Sequence, residues 1–310
     1  MDIQKILVTG RMFKELEKLA LLDTKREYLF LPEAEVRSNH FDWADGYVAF
    51  KPTESFHFGK LRWVHALGAG VDAFLHNREW KKDVLLTRTV GSFGSKIGQY
   101  CLSYILADVQ QHQKFQQYQT ERQWQPSQQL LLQQLRIVIF GTGTIGMKVA
   151  KMLHTFGVTV YGISRSGAPI AHFDRVVSLK DANSLLAEAD WMINTLPLTP
   201  KTDKLFDKHL FSCMQGAGFI NVGRGASVDE TALLEAVDRG QVRRAVLDVF
   251  QEEPLPAASP LWSHTNVTIT PHISAVTGVD EAMDGLLAVL EDMDSGQEHI
   301  RHLVDVSRGY

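Results

Sequence analysis

Residues 136–146 read Arg136-Ile-Val-Ile-Phe-Gly141-Thr-Gly143-Thr-Ile-Gly146, a short apolar run followed by three spaced glycines. The apolar run has the length and the branched side chains of a buried strand. Apolar residues then recur at helical spacing after Gly146, so the order is strand, glycine turn and helix. This order and spacing are typical of the site at which an open parallel sheet binds a dinucleotide.

Each glycine of this turn has its own expected role in cofactor binding. Gly141 permits the tight turn, Gly143 lets the backbone approach a pyrophosphate, and Gly146 lets the helix pack closely on the strand. The amides at the start of the helix would face the anion. The remaining residues of the turn complete the predicted cofactor-binding set: Thr142, Thr144 and Ile145. The alternative is a purely structural glycine turn, since the motif alone is a weak signal.

Short apolar runs alternate with helical patterns along the whole chain, which predicts an α/β architecture with parallel sheets. The first half predicts strands at 5–8, 28–31, 47–50, 61–67 and 84–87. The second half predicts six strands, at 136–140, 158–163, 191–195, 218–222, 245–249 and 267–270. We therefore expect two open parallel-sheet domains, a Rossmann-type doubly wound dinucleotide-binding domain and a smaller flavodoxin-like substrate domain.

The domain boundaries follow from where the second series of strands begins and ends. We expect a helix at 282–290 to return to the first domain, because chain termini often lie close together. The substrate domain would then be discontinuous, with residues 1–102 and 286–310, and residues 103–285 would form the dinucleotide-binding domain.

The composition excludes several classes of protein. Hydrophobic residues make up 45% and charged residues 22% of the sequence, as in ordinary globular proteins. The net charge is −4 and no dense run of Lys and Arg occurs, which argues against a nucleic-acid partner. No signal peptide or long apolar segment is recognisable, so we expect a cytoplasmic location and no membrane partner. Cys101 and Cys213 lie far apart without a Cys/His cluster, so we expect no metal site.

The strand predicted at 158–163 ends in Ser164-Arg165-Ser166. An NAD site usually has an Asp or Glu here, which bonds the ribose hydroxyls and would repel a 2′-phosphate. A guanidinium and two hydroxyls can instead hold that phosphate by charge-assisted hydrogen bonds. We therefore predict that NADP(H) is preferred and that NAD(H) is possible. The alternative is that Arg165 is a solvated loop residue and both cofactors are accepted.

Residues 110–134 contain twelve glutamines, with Trp124 and Pro126 among them. A polar run of this kind usually forms a solvated helix end and loop. The alternative is that Trp124 anchors a subunit contact, because tryptophan is enriched where a surface is buried against a partner.

Three polar stretches follow predicted strands, at the edge where open α/β sheets bind ligands. They are Asn221-Val-Gly-Arg224-Gly, Leu247-Asp248-Val-Phe-Gln-Glu-Glu253-Pro-Leu-Pro256 and Thr270-Pro-His272-Ile-Ser-Ala275. Together with the glycine turn, they resemble the D-isomer-specific 2-hydroxyacid dehydrogenase family over essentially the whole chain. Within it, the glyoxylate/hydroxypyruvate reductase A subgroup is the most similar, through residues 66–72, 124–126, 164–165 and 304–310.

The resemblance implies a homodimer that reduces a small 2-keto acid to the D-2-hydroxy acid. It implies three catalytic residues: Arg224, Glu253 and His272. Arg224 and His272 would also contact the substrate, whose carboxylate would be received by backbone amides near Ala69, Gly70 and Val71. We expect the other cofactor contacts from residues that follow the later strands: Leu196, Pro197, Thr202, Val222, Gly223 and Asp248. For Asp248, an ordinary acid at a strand end is nearly as good an interpretation.

Reduction of a carbonyl by hydride transfer requires the same residue types as those implied by the resemblance. Hydride that reaches a ketone carbon leaves charge on the oxygen, so a histidine such as His272 is a suitable proton donor. A carboxylate on its other ring nitrogen orients the ring, and the family pattern assigns this role to Glu253 rather than Glu252. The planar fork of Arg224 can bind a carboxylate and polarise a carbonyl. Each of the three also has an alternative as an ordinary surface residue.

Two other functions remain open at this stage. A phosphoglycerate or D-lactate type dehydrogenase is separated poorly from the leading hypothesis, because loop shape determines the size of the substrate. A dinucleotide-sensing, corepressor-like binding protein would share the fold, since fold alone does not determine function. The presence of all three reacting residues argues against this second alternative.

Overall fold

The structure, a computed structural model, describes residues 2–76, 78–297 and 299–309, which form twelve β-strands and ten α-helices. The strands are β1 Lys5–Thr9, β2 Glu27–Leu31, β3 Gly46–Ala49, β4 Trp63–Ala66, β5 Leu85–Arg88, β6 Arg136–Phe140, β7 Thr159–Ser164, β8 Arg175–Ser178, β9 Trp191–Asn194, β10 Ala217–Asn221, β11 Val242–Leu247 and β12 Val267–Ile269. The α-helices are α1 Leu19–Leu22, α2 Ser38–Trp43, α3 Asp72–Leu75, α4 Phe93–Val109, α5 His112–Thr120, α6 Thr144–Thr155, α7 Asn183–Ala187, α8 Lys208–Ser212, α9 Glu230–Asp238 and α10 Val279–Ser295. Tyr310, which ends one of the segments that carry the resemblance, lies outside the described residues.

The chain divides into two compact units. Unit 1 comprises Met1–Phe93 and Thr277–Tyr310, and unit 2 comprises Gly94–Val276. Helix α10 therefore lies in unit 1, which is built from two separate parts of the chain. The boundaries expected from the sequence, after residues 102 and 285, lie further along the chain than these divisions.

Unit 1 contains a sheet of five parallel strands in the order β2-β1-β3-β4-β5. This is the flavodoxin-like order. Alternate residues of β1 face opposite sides of the sheet, because side chains alternate along a strand. Ile6 and Val8 pack in the cluster that contains α10, whereas Leu7 packs in the cluster that contains Phe41 and Tyr47. The smaller parallel sheet expected from the sequence is thus confirmed.

Unit 2 contains a sheet of seven parallel strands in the order β12-β11-β10-β9-β6-β7-β8. The chain moves outward from β6 in one direction through β7 and β8, and in the other through β9 to β12. This is the doubly wound Rossmann arrangement, with the topological switch point between β6 and β9. The fold class predicted for the larger domain is also confirmed.

Both faces of the larger sheet are covered by helices, so its central strands are apolar on both sides. In β6, Ile137 and Ile139 pack in the cluster that contains residues of α4 and α6. Val138 and Phe140 pack in the opposite cluster, which contains residues of α8 and α9. These alternating contacts fix the register of β6 and hence the position of the glycine turn that follows it.

The sequence missed strand β8, so it predicted six strands where the larger sheet has seven. Strand β8 lies at the edge of the sheet, and only Val176 and Val177 within it are buried. An edge strand with two buried residues produces no long apolar run. The pattern that predicts the central strands is therefore absent here.

The sequence pattern of residues 97–119 predicts one helical stretch, but the structure has two helices here, α4 and α5. The break lies at Gln111, which has a φ of 56° and so adopts the left-handed conformation. Glutamine has no special preference for this conformation, so no residue type marks the break in the sequence.

Candidate active site

The predicted site residues of unit 2 follow strands of the same parallel sheet. Because the strands run in one direction, their carboxyl ends meet at one edge, the edge where open α/β sheets bind ligands. The glycine turn follows β6, residues 164–166 follow or end β7, and residues 222–224 follow β10. Asp248 follows β11, and His272 lies just beyond β12.

The glycine turn has the geometry that a dinucleotide requires. Gly141 has a φ of 98°, which only glycine adopts readily. A Cβ added at Gly146 would overlap the carbonyl oxygen of Gly141, so this glycine is needed for close packing of α6 on the turn. Apart from Gly143 itself and its two chain neighbours, no heavy atom of the described residues lies within 4 Å of a Cβ added at Gly143, at the start of α6. The turn therefore leaves space for an anion beside amides of the helix N-terminus.

The end of β7 forms a small turn that contains the predicted phosphate-binding residues. Ser164 Oγ accepts a hydrogen bond of 3.0 Å from Gly167 N, and Ser166 Oγ accepts one of 3.3 Å from Ala168 N. Arg165 is exposed between the two serines. Since both hydroxyls act as acceptors within the turn, their protons can be donated to an anion.

A buried network of asparagines positions Arg224. Asn194 Nδ2 donates to Asn221 Oδ1 at 2.9 Å and to Ser227 Oγ at 2.8 Å. Asn221 in turn accepts a hydrogen bond of 3.2 Å from Gly223 N and donates one of 3.2 Å to the carbonyl oxygen of Arg224. The backbone of the loop after β10 is thus held on both sides of the residue that carries the guanidinium. The motif quoted from the sequence contains Asn221 but does not indicate this role, because its partner Asn194 lies on another strand.

The side chain of Arg224 is half-buried and turns back toward its own loop. Its Nη1 donates a hydrogen bond of 2.7 Å to the carbonyl oxygen of Gly223. A Cβ added at Gly225 would overlap the backbone of Phe250, so the loop that carries Arg224 packs directly on the loop after β11. This close approach links the loop of Arg224 with the loop that carries Glu253.

The histidine and the acid predicted from the sequence lie in direct contact. Nδ1 of His272 is 2.8 Å from Oε2 of Glu253. The other carboxylate oxygen, Oε1, accepts a hydrogen bond of 3.0 Å from Phe250 N. Both side chains are partly exposed, so the pair is accessible to a small molecule.

Burial alone would raise the pKa of Glu253, but the groups around the carboxylate lower it below the usual value. The hydrogen bonds from His272 and Phe250 N are the largest of these opposing effects, and the charges of His272 and Arg224 add to them. Glu253 is therefore an anion at neutral pH. Since Arg224 contributes to this shift, its guanidinium lies close enough to influence the pair.

The other predicted cofactor residues of unit 2 form the loops beside the turn. Thr202 Oγ1 donates to the carbonyl oxygen of Pro197 at 2.6 Å and accepts from Thr199 N at 2.8 Å, so it closes the loop after β9. Leu196 N donates to Asn194 Oδ1 at 3.0 Å, and Val222 is buried. The cofactor contacts assigned to these residues stay predictions.

The residues predicted to receive the substrate carboxylate lie in unit 1, between β4 and α3. The carbonyl oxygen of Ala69 accepts a hydrogen bond of 2.9 Å from Arg88 Nη1. Gly70 is partly exposed, and Val71 is buried at the start of α3. Their role toward a substrate stays a prediction.

In the part of the chain that the structure describes, no group of three or more His, Cys, Asp and Glu side chains is arranged to hold a metal ion. None of the helices in that part is both long and apolar enough to cross a membrane.

Comparison with known proteins identifies the relatives of this chain. The family model for the NAD-binding domain of D-isomer specific 2-hydroxyacid dehydrogenases matches residues 102–274. Glyoxylate/hydroxypyruvate reductase A of Serratia proteamaculans (strain 568) is 35% identical, over 90% of this chain and 93% of the relative.

Solved structures of 2-hydroxyacid dehydrogenases are also similar to this chain. A D-isomer specific 2-hydroxyacid dehydrogenase family protein from Aeromonas salmonicida subsp. salmonicida A449 has a TM-score of 0.87 and 32% identity, over 98% of this chain and 99% of that one. An NADPH-dependent glyoxylate/hydroxypyruvate reductase from Sinorhizobium meliloti, in complex with NADP and sulfate, has a TM-score of 0.87 and 28% identity, over 99% of this chain and 100% of that one.

A doubly wound parallel sheet with a glycine turn at its switch point defines a dinucleotide-binding α/β protein. The chain belongs to the D-isomer specific 2-hydroxyacid dehydrogenase family. Members of this family are oxidoreductases that act on CH–OH groups with a nicotinamide dinucleotide. The family expected from the sequence, and its similarity to the reductase A subgroup, are thus confirmed.

Proposed function

We propose that this protein uses NADPH to reduce a small 2-keto acid, of the glyoxylate or hydroxypyruvate type, to the D-2-hydroxy acid. The observation that carries the proposal is the hydrogen-bonded pair of His272 and Glu253. It lies at the same edge of the sheet as the glycine turn. A proton donor beside a dinucleotide site is the arrangement that reduction of a carbonyl requires.

In this proposal, His272 donates the proton that the substrate oxygen needs. Its Nδ1 contacts Glu253, so Nε2 is the nitrogen that faces the substrate. The anionic carboxylate orients the ring and stabilises its positive charge. When bound, the cofactor supplies the hydride that reaches the carbonyl carbon.

Arg224 binds the substrate and stabilises the charge that develops on its oxygen. A guanidinium presents several donors in one plane, which suits both a carboxylate and a polarised carbonyl. The asparagine network that holds its loop supports this role, because a fixed backbone limits the positions that the side chain can reach. The assignment of the substrate carboxylate to amides of Ala69, Gly70 and Val71 rests on the resemblance to the family.

The preference for NADPH rests on the turn at the end of β7. Arg165 is exposed there between the hydroxyls of Ser164 and Ser166, and no carboxylate occurs among residues 164–166 to repel a 2′-phosphate. The related reductase from Sinorhizobium meliloti is described as NADPH-dependent. NADH would be accepted less well, because it lacks the group that Arg165 binds.

We also propose that the protein is a homodimer with Trp124 at the subunit contact. The side chain of Trp124 is 98% exposed, and Leu130 and Leu131 in the same loop are exposed as well. Large apolar side chains that are exposed together in one segment often mark a contact surface. Light scattering of the wild-type protein and of Trp124→Ala tests this, and a monomeric wild-type protein would contradict it.

The function is tested by steady-state kinetics with glyoxylate, hydroxypyruvate, phosphohydroxypyruvate and pyruvate, each with NADPH and NADH. We expect the highest kcat/KM with NADPH and one of the first two acids. A higher kcat/KM with phosphohydroxypyruvate or pyruvate would favour the phosphoglycerate or D-lactate type. Tight NADPH binding without turnover of any keto acid would overturn the proposal and favour a dinucleotide-sensing protein.

A further inference from the structure

Asp248 lies directly after β11 and is completely buried. Its carboxylate accepts hydrogen bonds from other residues of the protein. Oδ1 accepts hydrogen bonds from Thr270 Oγ1 at 2.6 Å and from Ile273 N at 2.8 Å. Oδ2 accepts one of 2.9 Å from Ser274 N. The carboxylate therefore binds the two backbone amides that follow His272.

Tyr100, from a different part of unit 2, extends this hydrogen-bond network. The hydroxyl of Tyr100, on α4, lies 2.7 Å from Thr270 Oγ1. Thr270 has a single hydroxyl proton, which it gives to Asp248, so Tyr100 must donate to Thr270. Burial raises the pKa of Tyr100, and the charge of Asp248 adds to this effect. Tyr100 therefore keeps its proton and remains a donor throughout the neutral range.

The backbone between these contacts has an unusual conformation. His272 has a φ of 54°, in the left-handed region that residues other than glycine rarely adopt. Its amide lies 2.9 Å from the carbonyl oxygen of Asp248 and 3.0 Å from that of Thr270. A strained conformation of this kind persists only where the surroundings hold it. The hydrogen bonds of Asp248 and Thr270 lie on both sides of His272 and supply that support.

We propose that Tyr100, Thr270 and Asp248 form a positioning chain that fixes the backbone of His272 and so aims its imidazole at the substrate. None of the three needs to touch the substrate or the cofactor in this role. The inference rests on the proposed reductase function, because it assigns the chain to the residue that donates the proton. It adds a positioning role to the cofactor contact expected of Asp248 from the sequence, since both of its oxygens accept hydrogen bonds from the residues around His272.

His272 is held at two points, its ring and its backbone. Glu253 holds the ring from the side chain, through Nδ1, and the positioning chain holds the residue from the backbone. A carboxylate that contacts only the ring leaves rotation and translation of the backbone uncontrolled. The two contacts together define where Nε2 lies, and a catalytic group needs this precision to act in the transition state.

The test compares Tyr100→Phe and Thr270→Val with a matched control, Tyr104→Phe. Tyr104 lies on the same helix and its ring contacts that of Tyr100, so the control removes a hydroxyl close by without breaking the chain. We expect kcat to fall about 10-fold in both chain variants, as for a misplaced catalytic group, whereas the Kd for NADPH stays within about two-fold. The control and the conservative variant Thr270→Ser should retain the wild-type kcat. Unchanged kcat in both Tyr100→Phe and Thr270→Val would overturn the proposal.

A second measurement separates this inference from the proposed function. In protein labelled with ¹⁵N-histidine, the imidazole signals of His272 are identified by their loss in His272→Gln. We expect these signals to shift or broaden in Tyr100→Phe and Thr270→Val, and to stay unchanged in Tyr104→Phe. This result does not depend on turnover, so it supports the positioning chain even if no tested keto acid is reduced. Identical His272 signals in all three variants would refute the chain even in an active enzyme.

Discussion

Nδ1 of His272 lies 2.8 Å from Oε2 of Glu253, although the two residues come from loops that follow different strands. The carboxylate is held in turn by Phe250 N, which bonds its other oxygen at 3.0 Å. The backbone therefore orients the carboxylate of Glu253, and the carboxylate orients the ring of His272. Because each group depends on the other, conservative substitutions of either residue should change the activity.

The first prediction concerns the proton donor itself. We expect His272→Gln to lower kcat by about 100- to 10,000-fold, the usual contribution of general acid catalysis. The Kd for NADPH should change little, because the glycine turn lies after another strand. Stopped-flow measurement of keto-acid reduction gives the effect on the rate, and fluorescence titration with NADPH gives the Kd. A variant that binds NADPH and retains near wild-type kcat would show that His272 is not the donor.

The second prediction concerns the acid partner. The pKa of Glu253 is lowered by His272, Phe250 N and Arg224 despite burial, so the carboxylate is ionised throughout the neutral range. Removing this anion in Glu253→Gln should lower kcat about 10- to 100-fold, the value of one charge-assisted hydrogen bond. Steady-state kinetics at neutral pH measure the effect. Glu252→Gln is the matched control, and the prediction is wrong if both variants retain the wild-type kcat.

The third prediction separates two glycines of the turn. Gly143 has an ordinary backbone conformation and space around it, so Gly143→Ala should fold normally. Its new methyl group would occupy the space of the pyrophosphate, so the Kd for NADPH should rise at least about 10-fold, which corresponds to 1.4 kcal/mol. Gly146→Ala should instead destabilise the fold, because its Cβ would overlap the carbonyl oxygen of Gly141. Thermal unfolding and NADPH titration of both variants check this, and unchanged cofactor affinity in Gly143→Ala would contradict it.

The fourth prediction concerns the choice of cofactor. Arg165→Ser should reduce kcat/KM with NADPH about 10- to 100-fold, because a charged hydrogen bond to the 2′-phosphate is lost. Activity with NADH should change by less than about three-fold, since NADH lacks that phosphate. The ratio of the two kcat/KM values is the measurement. Arg175→Ser, at the start of β8, serves as a control of equal charge. An equal loss with both cofactors would indicate a role for Arg165 other than phosphate binding.

These results indicate which features the sequence can predict. The central strands, the glycine turn and the residues after the strands were predictable, because periodicity and local motifs depend on residues that are close in the chain. The β8 strand at Arg175–Ser178 was missed, since an edge strand needs few buried residues. The break at Gln111 was missed, because its left-handed conformation follows from packing and not from its residue type.

The support of the site was harder to predict than its reacting residues. Tyr100 and Thr270 are 170 positions apart in the sequence, and only the fold brings their hydroxyls together. Asn194 and Asn221 are likewise joined across two strands. A motif specifies which side chain reacts, whereas the hydrogen bonds that orient it come from whichever elements the fold makes its neighbours.

The last prediction concerns the stability of unit 1 in mild acid. His65 is completely buried in β4, and burial, together with the nearby His302, lowers its pKa to about 3. Its Nδ1 is 2.8 Å from Thr87 Oγ1 and its Nε2 is 3.2 Å from Thr89 Oγ1. Trp63 Nε1 already donates to Thr87, so this hydroxyl is suited to donate to a neutral imidazole.

The direction of the pH effect follows from this lowered pKa. An unfolded histidine takes up its proton near pH 6.5, but folded His65 stays neutral until about pH 3. The unfolded state therefore binds more protons as the pH falls below about 6.5, and stability decreases in the same direction. Between pH 7.5 and pH 5 the loss due to His65 should be about 2 kcal/mol. His302 has a pKa lowered mainly by burial and should add to the loss.

Urea unfolding at both pH values, for wild type, His65→Gln and His154→Gln, measures this effect. His65→Gln keeps a polar side chain that cannot be protonated, so its stability should change less with pH than that of the wild type. His154 is exposed on α6 in unit 2, so His154→Gln should behave as the wild type does. Asp23 and Asp294 have lowered pKa values, so their contributions should be lost mainly at more acidic pH and interfere little. The buried imidazole is not the source of acid sensitivity if His65→Gln and wild type lose the same stability at pH 5.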